Sequence, residues 1–294
     1  MNKIGIIGAT GNLGRYTVSY LLERGVAPSQ IVIVARNPEK AKTFSEKGIE
    51  VRYGDYSKDN FDSSILTGIE KLLFISSPLM DGTLRIKFHA GVAYAAKQAG
   101  VKHIVYTSLA NMDRIESDLK YVHSATEAMI LSTEIPYTIL RDASYMDLIF
   151  TENDVRRAIQ TGKFLSITGG NINAAARKNM AEAAAVVLTT PGHENKIYDL
   201  TYPQTYTYSE LAAKIAQISG KPVQYQKVSH EEMSAYLKNL GLSEMEAQSD
   251  STMFQNLFTS DFGDLATGTL EDLIGSDRLV HIEDIIRNAI NSNQ

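Results

Sequence analysis

The first 140 residues alternate short apolar runs with segments of helical periodicity. The runs are continuously apolar, which is typical of strands buried on both faces of a parallel sheet. Parallel strands require a crossover connection, and the segments between the runs supply it as helices. The pattern therefore predicts a doubly wound α/β fold whose ligand crevice lies beyond the carboxyl ends of the strands. The predicted strands lie near residues 3–7, 31–35, 49–52, 71–75, 102–107 and 136–141.

Two of the crossover segments show the helical period clearly. Between the first two strands, one helix face is predicted to carry Leu13, Tyr16, Tyr20 and Leu21. Between the fourth and fifth strands, one face carries Phe88, Val92, Ala95, Ala96 and Ala99. These faces are expected to pack on the sheet.

The pattern becomes irregular and mainly helical after about residue 150. Ser229 and Glu232 have the spacing of a capping box, in which each residue satisfies a free N–H group of the other. The predicted helices lie near residues 178–189, 208–219, 229–239 and 243–258. No Pro/Gly/Ser-rich linker separates the halves. We therefore expect an N-terminal domain over residues 1–150 and a smaller C-terminal region over residues 151–294, packed over the crevice.

A glycine-rich segment, GATGNLG, connects the first strand to the first helix. Glycine is needed where the backbone turns sharply, approaches a pyrophosphate closely or lets a helix pack on a strand. The helix near Asn12 directs its positive end at such a phosphate. A purely structural turn is the alternative, but the strand–loop–helix context favours an NAD(P)-binding Rossmann domain. The cofactor contacts expected from this loop are Gly8, Thr10, Gly11, Asn12, Leu13 and Gly14.

The residue after the second strand indicates which dinucleotide is bound. An NAD-selective site usually has Asp or Glu here to bind the ribose hydroxyls. This chain has Arg36, followed by Lys40 and Lys42. A guanidinium suits a 2′-phosphate by its charge and its planar geometry, whereas one of the two lysines is explained equally well as part of a solvated basic helix face. We expect a preference for NADPH, with weaker binding of NADH.

Polar residues follow the next three strands and are expected to line the crevice. Asp55 either accepts a hydrogen bond from the adenine amine or caps a helix starting near Ser57, and the sequence leaves both roles open. The other predicted cofactor contacts at these strand ends are Ser76, Ser77, Thr107 and Ser108.

Composition excludes several classes of function. The net charge is −5 and basic residues never form long blocks, which argues against a nucleic-acid surface. There is no cysteine and the six histidines lack ligand spacing, so no metal site is expected. The first strand starts within three residues of the N-terminus and no apolar run has membrane-spanning length. We expect a cytoplasmic protein without a signal peptide or membrane partner.

One common catalytic pair of this fold is absent from the sequence. Many oxidoreductases and epimerases use a Tyr with a Lys four residues later, which lowers the pKa of the phenol for proton transfer. None of the 15 tyrosines has Lys at that position. This sets aside the mechanism of nucleotide-sugar epimerases and ordinary alcohol dehydrogenases.

The motifs together resemble the NmrA-like family of atypical short-chain dehydrogenases/reductases, and within it the type 2 NAD(P)H:quinone oxidoreductases and triphenylmethane reductases. The matching segments are GATGNLGR, VARNPEKA, GDY, KLLFISS, AAKQAGVKHIVYTSL, HSATEAM and IPYTILR. The resemblance implies NADPH binding with Arg at the position of Arg36, and reduction of quinones without the Tyr/Lys pair. The family also includes regulators that bind the cofactor without turning it over.

The chain departs from the family after Arg141, which we count among the cofactor-binding residues. The reductases typically continue with Asn-Gly-Trp-Tyr, an acidic residue and Asn, whereas residues 142–148 here read DASYMDL. Asp142 replaces the Asn and brings a charge that opposes a developing quinol anion unless it is protonated or paired. The candidate catalytic residues are Tyr145, His123 and Asp142, with core packing as the alternative for the Tyr and the His.

These patterns predict an NADPH-dependent oxidoreductase that transfers hydride to a quinone or a similar flat acceptor. The alternative is a non-catalytic NAD(P)H redox sensor that acts through a protein partner, which the altered segment 142–148 favours. Assembly as a homodimer is a further expectation.

Overall fold

A computed structural model describes residues 3–58, 61–79, 81–114, 118–167, 169–239, 241, 243 and 265–291. The helix predicted over residues 243–258 lies outside these residues, apart from Ser243. The predicted doubly wound fold is confirmed. All six predicted strands are present, as β1 (Lys3–Ile7), β2 (Ile31–Ala35), β3 (Glu50–Tyr53), β4 (Ile69–Phe74), β5 (His103–Leu109) and β6 (Tyr137–Asp142).

The central sheet has a seventh strand that the sequence pattern did not predict. The five-residue strand β11 (Lys196–Leu200) pairs in parallel with β6, and the sheet order is β11-β6-β5-β4-β1-β2-β3 with every pair parallel. The segment is mixed polar and apolar, and Ile197 is exposed at the sheet edge. The chain beyond residue 150 therefore returns to the sheet of the N-terminal half.

Side chains of the strands alternate between two cores, one on each face of the sheet. In β2, Ile31 and Ile33 point to one core, and Val32 and Val34 point to the other. This alternation explains why the strands are apolar throughout, since neither face meets water. Helices α1 (Asn12–Glu23) and α7 (Arg177–Thr189) pack together on the first face, and α3 (Gly82–Gln98) and α4 (Asp118–Ser132) pack together on the second.

The two predicted helix faces are partly wrong. In α1, Tyr16 is exposed, and the buried face includes Thr17 and Val18 as well as the predicted Leu13 and Leu21. In α3, Phe88 and Ala99 are only half-buried, whereas two polar side chains are buried: Arg85 and His89. A charged residue on the buried face of a helix is unusual and points to a site beneath it.

The C-terminal region consists mainly of helices with three small two-stranded sheets. The sheets pair β7 (Ser144–Tyr145) with β10 (Ala174–Ala175), β9 (Asn171–Ile172) with β12 (Tyr206–Thr207), and β8 (Lys163–Ser166) with β13 (Gln224–Lys227). The remaining helices are α2 (Lys42–Ser45), α5 (Met146–Ile149), α6 (Glu152–Thr161), α8 (Tyr208–Ser219), α9 (His230–Asn239), α10 (Thr269–Ile274) and α11 (Ile282–Asn291). The predicted capping box of α9 is confirmed, because Glu232 N donates to Ser229 Oγ at 3.1 Å and Ser229 N donates to Glu232 at 2.7 Å.

Candidate active site

The glycine loop between β1 and α1 has the geometry of a phosphate cradle. Gly8 has φ of +89°, a conformation that favours glycine. A side-chain carbon at Gly14 would lie 2.4 Å from Ala9 Cα and 2.5 Å from Gly8 O, so the helix could not approach the strand as it does. Gly11 is exposed at the N-terminus of α1, where free N–H groups favour an anion. The loop therefore fits a dinucleotide pyrophosphate.

An arginine that the sequence analysis did not single out fixes this loop. Arg15 Nε donates to Thr10 O at 3.1 Å, and its Nη2 donates to Lys40 O at 3.0 Å. The same guanidinium lies 5.5 Å from the ring centre of Phe44. Arg15 thus joins the glycine loop to the turn after β2. The only signal in the sequence was a long cationic side chain directly after the third glycine.

Arg36 and Asp55 follow the neighbouring strands β2 and β3. Arg36 and Lys40 are exposed. Partial burial raises the pKa of Asp55, but hydrogen bonds from Ser57, with smaller contributions from the charges of Lys58 and Arg36, lower it below its ordinary value. Asp55 Oδ1 accepts hydrogen bonds from Ser57 N at 3.0 Å and Ser57 Oγ at 2.6 Å. The described residues after Asp55 form a turn, so the helix predicted near Ser57 is wrong. The exposed Arg36 remains a predicted contact for a 2′-phosphate.

The predicted serines and threonine at the ends of β4 and β5 are brought together. Ser76 N donates to Thr107 Oγ1 at 3.0 Å, which joins the two strand ends. Ser77 N donates to His89 Nε2 at 3.2 Å, and Ser108 Oγ donates to Glu127 Oε1 at 2.6 Å. These bonds fix the backbone and hydroxyl groups along the crevice.

Arg141 forms an ion pair with Glu127. Its Nε and Nη2 donate to the two carboxylate oxygens of Glu127 at 3.0 and 2.8 Å. Glu127 is buried and also accepts the hydrogen bond from Ser108. The Arg141 guanidinium therefore orients Ser108 through Glu127, and its contact with the cofactor stays a prediction.

His123 is unsuited to the acid role considered for it. The imidazole is buried, with Nδ1 2.9 Å from the Tyr106 hydroxyl and Nε2 3.4 Å from Arg85 Nη2. Burial, and then the positive charge of Arg85, hold the pKa of His123 well below its ordinary value. A neutral imidazole with both nitrogens engaged favours the core-packing alternative, and the catalytic role of His123 stays a prediction.

Asp142 and Tyr145 form a buried acid–phenol pair. The Tyr145 hydroxyl donates to Asp142 Oδ2 at 2.9 Å. Asp142 is 2% exposed, and its Oδ1 has no hydrogen-bond partner among the described residues. Burial raises the pKa of Asp142 to about 7, even though the bond from Tyr145 lowers it. Partial burial and the adjacent Asp142 also raise the pKa of Tyr145 well above its ordinary value.

A second ion pair holds the Tyr145 ring. The Arg177 guanidinium lies 5.5 Å from the centre of the Tyr145 ring and is paired with Asp147. Asp147 also accepts a hydrogen bond from Arg177 N at 3.0 Å, at the start of α7. Arg177 therefore contacts the ring of the phenol from the C-terminal half, and Asp147 holds Arg177 in place.

Asp142→Asn is expected to flatten the pH dependence of stability. Because the pKa of Asp142 in the folded protein is raised above its unfolded value, its neutral form is favoured, and its contribution is lost as pH rises towards about 7. The free energy of unfolding of the parent, relative to the Asn variant, should fall by about 2–3 kcal/mol between about pH 5 and pH 8. Urea unfolding at both pH values measures this difference.

The exposed Asp272 in α10 supplies the matched control for this experiment. Asp272→Asn should leave the pH dependence of the parent unchanged. If the difference in free energy of unfolding between the parent and Asp142→Asn is the same at pH 5 and pH 8, Asp142 ionises freely and the prediction is wrong.

The seven-stranded doubly wound sheet and its glycine loop define a Rossmann-type nucleotide-binding protein. The model of the NmrA-like family matches residues 1–265, and the chain belongs to this family. Quinone oxidoreductase 2 of Escherichia coli K12 is 40% identical over 252 residues, which are 84% of this chain and 86% of that protein. In the described residues no helix could cross a membrane, and no three His, Cys, Asp or Glu side chains are grouped as metal ligands.

Two solved structures of relatives match nearly the whole chain. The Citrobacter sp. triphenylmethane reductase complexed with NADP(H) has a TM-score of 0.90 and 39% identity, covering 98% of this chain and 99% of that one. The Escherichia coli NADPH-dependent quinone oxidoreductase QOR2 complexed with NADPH has a TM-score of 0.84 and 36% identity, covering 98% and 100%. The family predicted from the sequence motifs is confirmed.

Proposed function

We propose that this protein is an NADPH-dependent reductase that delivers hydride to a quinone or a similar flat two-electron acceptor. The observation that carries this proposal is the position of the Asp142–Tyr145 pair. The pair lies at the carboxyl end of β6, where Asp142 is the last residue of the strand. The glycine loop follows β1 at the same edge of the sheet. A phosphate cradle and a protonatable pair therefore line one crevice. The two relatives crystallised with NADP(H) and NADPH support the same assignment.

The chain supplies contacts for each part of the cofactor along one edge of the sheet. Gly8, Gly11 and Gly14 let the pyrophosphate approach the start of α1, and Arg36 binds the 2′-phosphate at the exposed end of β2. Ser76, Ser77, Thr107 and Ser108 continue the same edge toward the pair. Bound NADPH supplies the hydride.

The Asp142–Tyr145 pair transfers the proton to the acceptor. The Tyr145 hydroxyl, which donates to Asp142, turns to an acceptor oxygen when neutral Asp142 donates its own O–H to the phenol oxygen. The phenol proton then moves to the acceptor oxygen as negative charge develops there. Asp142 in its neutral form returns a proton to the phenol oxygen and recovers its own from solvent. This answers the charge problem raised by the Asp at this position, because a neutral acid does not oppose a quinol anion. Arg177 and Asp147 hold the ring in place.

Arg36→Glu is expected to reverse the cofactor preference. The change replaces a cation facing the 2′-phosphate with an anion, and loss of a charged hydrogen bond costs about 1.5–3 kcal/mol. The ratio of the Kd for NADH to the Kd for NADPH should therefore fall by roughly 10- to 100-fold. Calorimetric titration of both dinucleotides measures the ratio, with Lys42→Glu on α2 as the charge-matched control. An unchanged ratio in Arg36→Glu would remove Arg36 from the site.

We also propose that the protein works in the cytoplasm on a small acceptor without a nucleic-acid partner. The net charge of −5 supports this view. The predicted homodimer stays a prediction that light scattering of the purified protein will test. The sensor alternative is retained for one observation alone, the departure of residues 142–148 from the reductase pattern.

A further inference from the structure

Arg85 is a buried cation that no acidic side chain pairs with in the part of the chain that the structure describes. It lies in the first turns of α3 and is 7% exposed. Its Nη2 donates to Ser76 Oγ and lies 3.4 Å from His123 Nε2, and both of these partners are neutral. Its Nε has no partner among the described residues. No carboxylate in the described part of the chain forms an ion pair with Arg85.

The surroundings of Arg85 increase the cost of this charge. Glu127, a buried acid of α4, is already bound on both oxygens by Arg141. A buried charge without a partner costs several kcal/mol, so proteins keep such groups mainly where they bind something. The compensation that is missing among the described residues is one negative charge.

The position of Arg85 places this missing charge in the crevice. Ser76, which accepts its hydrogen bond, directly follows Ile75 at the end of β4 and is joined to Thr107 at the end of β5. The hydroxyls of Tyr106, Tyr56 and Tyr145 are close enough to interact with the guanidinium electrostatically. Tyr145 belongs to the proposed acceptor side, so Arg85 borders the space where the acceptor binds.

We propose that Arg85 is a specificity residue that selects acceptors carrying an ionised oxygen on or beside the quinone ring. The inference rests on the proposed reductase function and names the substrate class of that site. An anionic acceptor supplies the counter-charge that Arg85 does not receive from the described part of the chain, whereas a neutral quinone does not. A cationic triarylmethane dye is disfavoured by direct repulsion.

Binding of three probes to the full-length protein saturated with NADP+ tests the proposal without turnover. The probes are 2-hydroxy-1,4-naphthoquinone, which is ionised at neutral pH, its neutral 2-methyl analogue, and a cationic triarylmethane dye. In the parent, the hydroxyquinone should bind roughly 10- to 100-fold more tightly than the methyl analogue. In Arg85→Met this ratio should fall to about one and the dye should bind more tightly. Arg85→Lys, which keeps the charge, should retain part of the preference.

Several outcomes would overturn the proposal. Equal binding of both naphthoquinones by the parent protein would overturn it. This measurement needs no variant, so it decides the matter even if Arg85→Met fails to fold. Weaker binding of NADP+ by Arg85→Met, with the probe ratio unchanged, would assign Arg85 to the cofactor instead. Failure of the proposed function is distinguishable, because it appears as a lack of NADPH oxidation with every quinone, whereas the ratio of binding constants needs no reaction.

Discussion

Replacing Gly14 with alanine is expected to weaken NADPH binding by about 100-fold and to lower the Tm by several degrees. The added carbon would lie 2.4 Å from Ala9 Cα and 2.5 Å from Gly8 O, both backbone atoms that no rotamer change can move. The loop and the start of α1 must therefore separate, and overpacking of this kind costs about 1–3 kcal/mol. Separation also moves the N–H groups of the cradle away from the phosphate. Calorimetric titration with NADPH and a thermal melt measure the two effects.

Two further glycines separate the effect on the fold from the effect on binding. At Gly91, within α3, an added carbon meets only Phe61 Cβ at 3.9 Å. Gly91→Ala should therefore leave NADPH affinity unchanged and raise Tm slightly, because alanine favours a helix interior more than glycine does. At Gly11 the added carbon meets only Gly8 O at 3.4 Å and the backbone φ of −80° suits alanine. Gly11→Ala should therefore fold like the parent but hinder the phosphate. If Gly14→Ala binds NADPH with the same affinity as the parent, the glycine loop is not the phosphate-binding site.

Replacing Tyr145 with phenylalanine is expected to lower kcat for quinone reduction by about 100-fold, the usual contribution of a positioned proton donor. The change removes the hydroxyl that bonds Asp142, while the ring keeps its contact with Arg177. The Kd for NADPH should change less than about twofold, because the hydroxyl belongs to the acceptor side. Steady-state kinetics with one neutral quinone and a separate binding titration measure both quantities.

The exposed Tyr121 in α4 supplies the control, since Tyr121→Phe makes the same chemical change away from the pair. The pH profile adds a second criterion. Turnover should fall as pH rises through about 7, because Asp142 ionises there. The carboxylate then accepts the hydrogen bond of the Tyr145 hydroxyl, and the phenol proton is held back from the acceptor. Asp142→Asn should remove this inflection. Full activity of Tyr145→Phe over the whole pH range would mean that solvent alone supplies the proton.

The strands and the glycine loop could be predicted because their signals are local. Strand β2 is apolar at every position because both of its faces are covered. Strand β11 was missed because Lys196, Tyr198 and Asp199 interrupt its apolar pattern at an exposed edge. Tyr16 was misplaced because a hydrophobic residue at helical spacing can lie at the border of the buried face.

The chemistry of the crevice could be predicted only in part, because it depends on contacts between distant segments. The sequence shows Arg141 and Glu127 but not that they pair across 14 positions to hold Ser108. Nor does it show that Arg85, in a helix, bonds Ser76 beyond the end of β4 and has no acidic partner among the described residues. Tyr145 and Asp142 could be selected because they stand three residues apart in the segment where the family places its own polar groups.

Oxidation of NADPH by the purified protein, measured against a panel of small quinones with NADPH binding checked in the same preparation, tests the central claim most directly. An NADPH-dependent quinone reductase should show saturable turnover, with one quinol formed for each NADPH consumed. Turnover should be lost in Gly14→Ala. Tight NADPH binding without turnover of any quinone would contradict the reductase assignment and favour a cofactor-binding sensor.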